Sequence, residues 1–209
     1  MLRSLATSAV ALIAAAAPAL SEVTPAQAWE NLNRYYEDFG YQVTTGGTNE
    51  AGDTLTVTNT VLTMQSDAGT TSVNIPQMTF QQTGDAKVRA VFNEDVTFAT
   101  NFTAPEAEGG AVPVTVAGRF SAPGNEMLIS GSDDDMLYEY NYPTARFETV
   151  LPSQPVAVTL TGLQGKQRNV RNDTGTEATF DGTVTEMTLQ LLAEAPENSD
   201  AGPGKLTLD

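Results

Sequence analysis

The run Ser132-Asp133-Asp134-Asp135 is the densest group of side chains in the sequence that could bind a metal ion. Oxygen ligands of this type suit Ca²⁺. The spacing of an EF-hand is absent, because no Asp-x-Asp-x-Asp-Gly segment followed by a distant Glu occurs there. Acidic residues and glycine are common in turns, so the run is interpreted as the solvated tip of a hairpin. No metal site and no cofactor is predicted.

The sequence contains no cysteine and no histidine. Disulfides, Cys/His zinc sites, haem ligation through histidine, cysteine nucleophiles and Ser-His-Asp triads are therefore excluded. The 26 acidic residues leave a glycosidase-like carboxylate pair formally open, but no pair is marked by its surroundings. No Ser-x-x-Lys motif occurs either. The sequence therefore predicts a protein that is not an enzyme.

Met136, Tyr138, Tyr140 and Tyr142 alternate along one segment and so share one face of a predicted strand. Rows of aromatic side chains can bind sugars or acyl chains. Such rows are also common in protein cores, with the hydroxyl groups at a wet margin. The core interpretation is favoured, and the three tyrosines are kept as candidate ligand-binding residues.

Lys166, Arg168 and Arg171 form the only basic cluster in the sequence. They could receive an anionic partner, or they could pair with Asp173 and Glu177 close by in the chain. Local pairing is the expected outcome, because exposed ion pairs are common and individually weak.

The formal net charge is −16 over 209 residues, of which 40% are hydrophobic. A surface this acidic repels phosphate backbones and anionic lipid head groups. The composition therefore predicts neither a nucleic-acid partner nor electrostatic docking to a membrane. The apolar content and the length suit one large β-rich domain with its own core.

Residues 1–21 have the organisation of a secretory signal peptide, with the basic residue Arg3 before an apolar run at 5–17. Small residues at the expected positions place the cleavage site between Ser21 and Glu22. The apolar run is shorter than a membrane-spanning helix requires, and no other segment is long enough. The sequence thus predicts export to the periplasm, with no transmembrane segment after removal of the signal.

An amphipathic helix is predicted at 24–39. Thr24 can cap it, Pro25 suits the first helical position, and Gln27 can complete a capping box. Its apolar stripe consists of Trp29, Leu32, Tyr36 and Phe39. A stripe of this kind is more often docked on a sheet than used as a ligand site.

Residues 87–103 keep one alternating phase for longer than a typical strand lasts. The polar trio Asn93-Glu94-Asp95 interrupts the pattern and is read as a bulge or a bend. The apolar residues of the even face form the wall on which a ligand or the helix is expected to lie, and the candidate ligand-binding residues among them are Val88, Phe92, Val96, Phe98 and Phe102.

Turn residues divide the rest of the chain into short alternating runs. Strands are predicted at 41–45, 53–65, 71–82, 112–120, 127–130, 136–141, 146–151, 156–162, 176–180 and 183–192. Pro76 is expected to shift the apolar phase of its strand, as a bulge does. Two hairpins are predicted, one around 131–135 and one around Asp181-Gly182.

The predicted fold class is mainly β: a long, curved antiparallel sheet (a meander, sandwich-like or an open barrel) with one N-terminal amphipathic helix. The β-rich domain is expected to cover residues 22–194. Residues 195–209 are expected to be a polar linker followed by the start of a further strand, in a chain cut from a longer protein.

The leader, the Thr-Pro-x-Gln-x-Trp helix, the strand Gly52-Asp53-Thr54-Leu55-Thr56-Val57 and the Ile75-Pro76 strand resemble domain of unknown function 2125, an uncharacterised family of bacterial envelope proteins. The resemblance covers most of the chain, which would be the N-terminal part of a longer protein. It implies a β-rich periplasmic protein of a Gram-negative cell. It provides no catalytic residues.

Two classes of function follow from these observations. The first is a carrier that binds a lipid or another apolar ligand on its sheet face. The second is a structural or interaction protein of the cell envelope with an ordinary packed core. An apolar trough left open to solvent would favour the carrier, and a filled two-layer core would favour the structural protein.

Overall fold

A computed structural model describes residues 23–105, 111–150, 155–173, 175–191 and 205–207. Within those ranges the chain forms one α-helix and thirteen β-strands, all in one sheet. The elements are α1 (Pro25–Asp38), β1 (Gln42–Thr44), β2 (Gly47–Ala51), β3 (Thr54–Ser66), β4 (Gly69–Gln82), β5 (Val88–Phe92), β6 (Val96–Pro105), β7 (Ala111–Ser121), β8 (Glu126–Ser132), β9 (Asp135–Val150), β10 (Pro155–Asn172), β11 (Gly175–Thr183), β12 (Glu186–Leu191) and β13 (Lys205–Thr207). The predicted signal peptide and the linker at 195–204 lie outside the described residues.

The start of α1 is as the sequence predicts. The backbone N–H of Gln27 donates to Thr24 Oγ1 at 3.2 Å, and the N–H of Thr24 donates to Gln27 Oε1 at 3.0 Å, so the capping box is formed. Trp29 and Leu32 are buried against the sheet. The prediction for Phe39 is wrong, because its side chain is 54% exposed. The helix ends at Asp38, so Phe39 is not part of the apolar stripe. Its ring contacts the Tyr35 ring instead.

Every pairing in the sheet is antiparallel. When β1 and β2, β5 and β6, β7 and β8, and β11 and β12 are each taken as one long segment, neighbours in space are segments that follow one another in sequence. The predicted mainly-β antiparallel sheet with one N-terminal helix is therefore confirmed, and its topology is a meander. Among the described residues no pairing joins the first strands to the last, so the sheet is open rather than a closed barrel. β13, at the expected position of the further strand, pairs with β12.

Three predicted strand boundaries are wrong. β9 runs through Pro143 where a break was expected, and β10 continues past Gly162 to Asn172. β11 runs through Asp181-Gly182 where a hairpin turn was expected, so β11 and β12 both lie along β10 and are separated only at 184–185. Pairing along a long neighbouring strand outweighs the local turn preference of single Pro and Gly residues.

These irregular positions line up across the sheet. Asn59, with a φ of 51°, lies opposite Pro76, and Pro143 lies opposite Gly162, with a φ of 64°. Because each irregularity faces another, the whole sheet is interrupted along one line, which we call the crease. The crease consists of Asn59, Pro76, 93–95, 122–125, Pro143, Gly162 and 184–185.

The crease explains the apolar pattern of the long strands. In β4 the buried positions shift from Ile75 to Met78 and Phe80 on either side of Pro76, which confirms the predicted phase shift. Residues 87–103 form two strands, β5 and β6, separated by 93–95. The even face nevertheless stays on one side of the sheet, and Glu94 is exposed in the break.

The sheet curls around α1. Near the start of the helix, Pro25 and Asp53 of the β2–β3 turn line one cavity, and Val23 and Ser132 at the end of β8 line another. Near its end, Asp38 contacts Thr176 of β11 through a hydrogen bond. A flat sheet would separate β3 from β11 by roughly 30 Å. One helix touches both flanks because the sheet is curved, as predicted.

Candidate functional site

The crease divides the apolar face of the sheet into two halves. The covered half lies under α1, and one register row across it consists of Leu55, Phe80, Ala90, Met127 and Tyr140. Val88 and Tyr138, two candidate ligand-binding residues, are 0% and 1% exposed in this half. Met136 and Tyr142 are also buried, which agrees with the core interpretation of the tyrosine row. The covered half is a filled core.

A chain of polar side chains fixes the tyrosines under the helix. Tyr138 OH donates to Asn31 Oδ1 at 2.9 Å, and Asn31 Nδ2 donates to the backbone oxygen of Asp133 at 2.9 Å. Tyr140 OH donates to Gln167 Oε1 at 2.9 Å. Burial raises the pKa values of the Tyr138 and Tyr140 phenols, so both remain protonated donors. Sequence analysis missed Asn31, because a single polar residue on a helix carries no periodic signal.

Aromatic rings connect the two halves across the crease. The Phe120 ring lies 6.3 Å from the rings of both Phe92 and Tyr142, and 4.7 Å from the ring of Phe147. Phe92 and Tyr142, which were predicted from separate segments, therefore meet at one place. Phe120 was not a candidate residue, although its alternation with Val116 could have indicated it.

The open half is the part of the apolar face that lies beyond the crease. Two of its register rows are Val96–Phe120–Phe147–Val158–Leu189 and Phe98–Gly118–Thr149–Val156–Leu191. Phe147 is 38% exposed, Met187 43% and Leu191 40%. No element of the described residues covers these side chains. The candidate residues Val96, Phe98 and Phe102 all belong to the open half, where Val96 is buried near the crease and the two phenylalanines are half-buried.

Gly118 allows the Phe98 ring to approach the backbone of β7 closely on the open half. The two residues are register partners, and a Cβ added at Gly118 would lie 2.3 Å from Phe98 Cζ. It would also lie 2.4 Å from the backbone oxygen of Glu148. A glycine in a strand interior often marks such a close approach. A larger residue at position 118 would therefore require the Phe98 ring or the backbone at Glu148 to move.

The opposite face of the same strands is polar. Arg119 pairs with Glu148 at 2.6 Å and with Asp95 at 3.4 Å, and Arg146 pairs with Glu148 at 2.7 Å. Hydrogen bonds from Arg146 and Arg119 lower the pKa of Glu148. In the open half, the apolar face is therefore backed by a charged, polar face on the same strands.

The expected local pairing of the basic cluster is wrong. Lys166 pairs with Glu139 at 3.1 Å, Arg168 with Asp135, and Arg171 with Asp38 at 3.4 Å. The reason is that β10 continues beyond Gly162, so these side chains lie beside β9 and α1. Glu139 also binds Lys87 at 3.1 Å, and its pKa is lowered by hydrogen bonds from Lys87 and Lys166.

The acidic run at 133–135 forms the predicted hairpin tip. β8 and β9 pair from Ser132 and Asp135, with Asp133 and Asp134 exposed in the turn. Within the described part of the chain, no three acidic side chains come together in a way that could hold a metal ion. No helix of the described residues has the length and apolar character needed to cross a membrane.

Comparisons of the chain with protein-family models, with curated proteins and with solved structures gave no match. The class defined by the fold is an open antiparallel meander curled around one helix. The resemblance to domain of unknown function 2125 stays a prediction from the sequence.

Proposed function

We propose that this chain is a non-enzymatic, exported protein of the bacterial envelope that binds a lipid or a similar apolar ligand on the open half of its sheet. One observation carries the proposal: the apolar face continues beyond the helix into rows of side chains that remain 38–43% exposed at Phe147, Met187 and Leu191. Contiguous exposed apolar surface of this kind marks an interaction site more often than chance.

The chemistry of the open half suits a hydrocarbon chain. Its register rows contain apolar residues with Thr and Gly, and no charged residue. From Val114 to Phe120 the face extends along β7 for about 20 Å. Each methylene group removed from water there contributes about 0.8 kcal/mol. An acyl chain laid along β7 would also shield Phe98, Phe102 and Val116, all half-buried in its absence.

Export to the periplasm is the second part of the proposal. It is supported by the organisation of residues 1–21 and by the resemblance stated above. A periplasmic lipid-binding protein needs no catalytic group, which agrees with a sequence that lacks histidine and a recognisable nucleophile motif.

The test is mass spectrometry of lipids extracted from the full-length protein after mild purification from the periplasm. We expect a defined set of lipids that is lost from a Phe147→Glu variant, because the added carboxylate lies on the open half. Phe39→Glu is the matched control, since Phe39 is also exposed but lies at the end of α1. Lipid at the level of an unrelated control protein, or equal lipid in both variants, would contradict the proposal.

A structural or interaction role is the second candidate function, and the filled covered half favours it. The sheet edges support it too, because β2 and β11 each pair with one strand among the described residues. Such edges can add a strand from another protein. Purification of the protein without lipid, but with a stoichiometric envelope protein crosslinked through β2 or β11, would favour this function.

A further inference from the structure

We propose that the outer edge of β11 binds an extended segment of a partner protein as an additional strand of the sheet. This segment carries Lys or Arg on one face and apolar side chains on the other. The inference does not rest on lipid binding, because β11 and the open half lie on opposite sides of the crease. The edge is formed by Gly175–Thr183.

The backbone of β11 has hydrogen-bonding groups that point away from the sheet. In β10 the N–H of Arg171 donates to the oxygen of Asp134, on the β9 side, at 2.8 Å. Successive residues of a strand direct their backbone groups to opposite sides, so the even-numbered residues of β10 bond to β11. Their register partners in β11 are odd-numbered. The outward backbone groups are therefore those of Thr176, Ala178, Phe180 and Gly182.

This edge lacks the features that usually prevent strand addition. Edge strands are commonly short, or they carry Lys, Pro or a bulge. β11 has nine residues, none of them Lys or Pro, and every residue except Thr176 is exposed. No described strand other than β10 pairs with it. The edge strand β2 has only five residues and no apolar side chain larger than alanine. β11 is therefore the better site for a partner strand.

Phe180 provides an apolar anchor on the same face as the tyrosine row. Its side chain is 64% exposed, and its ring lies 6.3 Å from the Tyr140 ring. A Cβ added at Gly165 or Gly182 would lie 3.1 Å or 2.8 Å from Phe180 Cζ, so the ring lies against two neighbouring glycines. An apolar side chain of an added strand would pack on this ring, as cross-strand pairs do.

The other face of β11 is acidic. Glu177 and Asp181 are exposed there, and within the described part of the chain neither forms an ion pair. Lys166 lies opposite Asp181 in the ladder, but its Nζ binds Glu139 at 3.1 Å. Opposite charges on adjacent strands stabilise a sheet and like charges destabilise it. Basic side chains on this face of the partner are therefore favoured, whereas a second copy of this chain, with its own net charge of −16, is disfavoured.

The experiment titrates the full-length protein with three capped seven-residue peptides. The first is Lys-Val-Lys-Val-Lys-Val-Lys, the second has Glu in place of every Lys, and the third has the composition of the first with its four Lys before its three Val. We expect the alternating Lys peptide to bind at least about tenfold more tightly than either of the others. Tenfold corresponds to about 1.4 kcal/mol.

Proline substitutions locate the binding edge without changing any charge. Ala178→Pro removes an outward N–H and leaves the bonds to β10 in place, so we expect the Lys peptide to bind at least about tenfold more weakly, with an unchanged melting temperature. Asn49→Pro is the matched control on β2. The N–H of Gly46 bonds to β3, so that of Asn49 also points outward, and this variant should bind the peptide normally.

Phe180→Thr tests the anchor and keeps a residue that suits a strand. We expect it to weaken binding of the Lys peptide by about fivefold. This variant also tests the proposal if Ala178→Pro does not fold.

Equal affinity for the Lys and Glu peptides would overturn the proposed partner chemistry. Equally tight binding of the non-alternating peptide, or equal losses in Ala178→Pro and Asn49→Pro, would overturn strand addition at β11. Dimerisation that is lost in Ala178→Pro, without peptide binding, would show a second copy as the occupant instead. The lipid content of Ala178→Pro should equal that of the unaltered protein, so the lipid proposal and this one can fail separately.

Discussion

The side-chain amide of Asn125 completes the hydrogen bonding of Phe92 at the crease. Asn125 Oδ1 accepts the backbone N–H of Phe92 at 2.8 Å, and Asn125 Nδ2 donates to the backbone oxygen of Phe92 at 2.8 Å. The same Nδ2 donates to the oxygen of Ala122 at 2.8 Å. At the end of the β5–β8 ladder, the Asn125 side chain thus bonds the backbone of Phe92 as a residue of a neighbouring strand would. Asn125 is only 8% exposed.

We therefore predict that Asn125→Leu destabilises the protein by about 1–3 kcal/mol, because it leaves backbone groups of Phe92 and Ala122 without their partner. The measurement is the free energy of unfolding from urea titration. Asn93→Ala is the control, because the Asn93 side chain is exposed and only its backbone N–H is bound, to the Gln77 oxygen. We expect it to change stability by less than about 0.5 kcal/mol. Equal effects of the two substitutions would contradict this role of Asn125.

Gly118→Ala should destabilise the protein by about 1–3 kcal/mol, because the new methyl group overlaps the Phe98 ring and the backbone oxygen of Glu148. Gly84→Ala is the matched control, since nothing lies within 4 Å of a Cβ there. It should be neutral or stabilising by about 0.4–1 kcal/mol. Thermal unfolding of the two variants measures the difference, and a stable Gly118→Ala variant would show that Phe98 does not rest on Gly118.

The two halves of the apolar face should respond differently to truncation. Phe80→Ala in the covered half, where Phe80 is 0% exposed, should cost about 3–5 kcal/mol. Met187→Ser in the open half should cost much less, because the side chain is 43% exposed. It should also reduce the fluorescence of a hydrophobic dye bound to the native protein. Similar losses of stability for both variants would show that the open half is a packed core.

Stability should fall at alkaline pH. Burial raises the pKa of Tyr36 from 10.0 to about 12, with a smaller contribution from Tyr35 and Tyr41. The unfolded chain therefore releases this proton before the folded chain does, and the stabilisation is complete below pH 10 and is lost as the pH rises towards 12. Urea midpoints over this range measure the loss, which should be smaller in Tyr36→Phe. A midpoint that does not change with pH would contradict the burial of this phenol.

Two carboxylates with lowered pKa values, Glu139 and Asp135, predict how the stability of the protein responds to acid. Hydrogen bonds from Lys87 and Lys166 lower the pKa of Glu139, and a hydrogen bond from Arg168 lowers that of Asp135. Above its unfolded-state pKa, each carboxylate contributes its full stabilisation to the fold. This stabilisation is lost as the pH falls through the lowered pKa of the folded state. Glu139→Gln should therefore weaken the dependence of stability on pH in acid. The same slope in both proteins would show that the ion pairs of Glu139 contribute nothing.

The local pattern of the sequence determined the helix, its capping box and most strands, because each depends on residues close together in the chain. The period of two along residues 87–103 indicated which side chains face inward, and Pro76 indicated a phase shift. Charge and the absence of cysteine and histidine limited the chemistry without any structure.

The tertiary structure alone decided how the irregular positions combine. Pro143 and Gly162 look like strand ends in sequence, but they lie opposite each other and allow both strands to continue. The partners of Lys166 and Arg168, and the role of Asn125, depend on pairings between residues far apart in the chain. Only the position of α1 decided that Val88 is core while Phe98 lies on the open half, because both have the same alternating pattern and differ in what covers them.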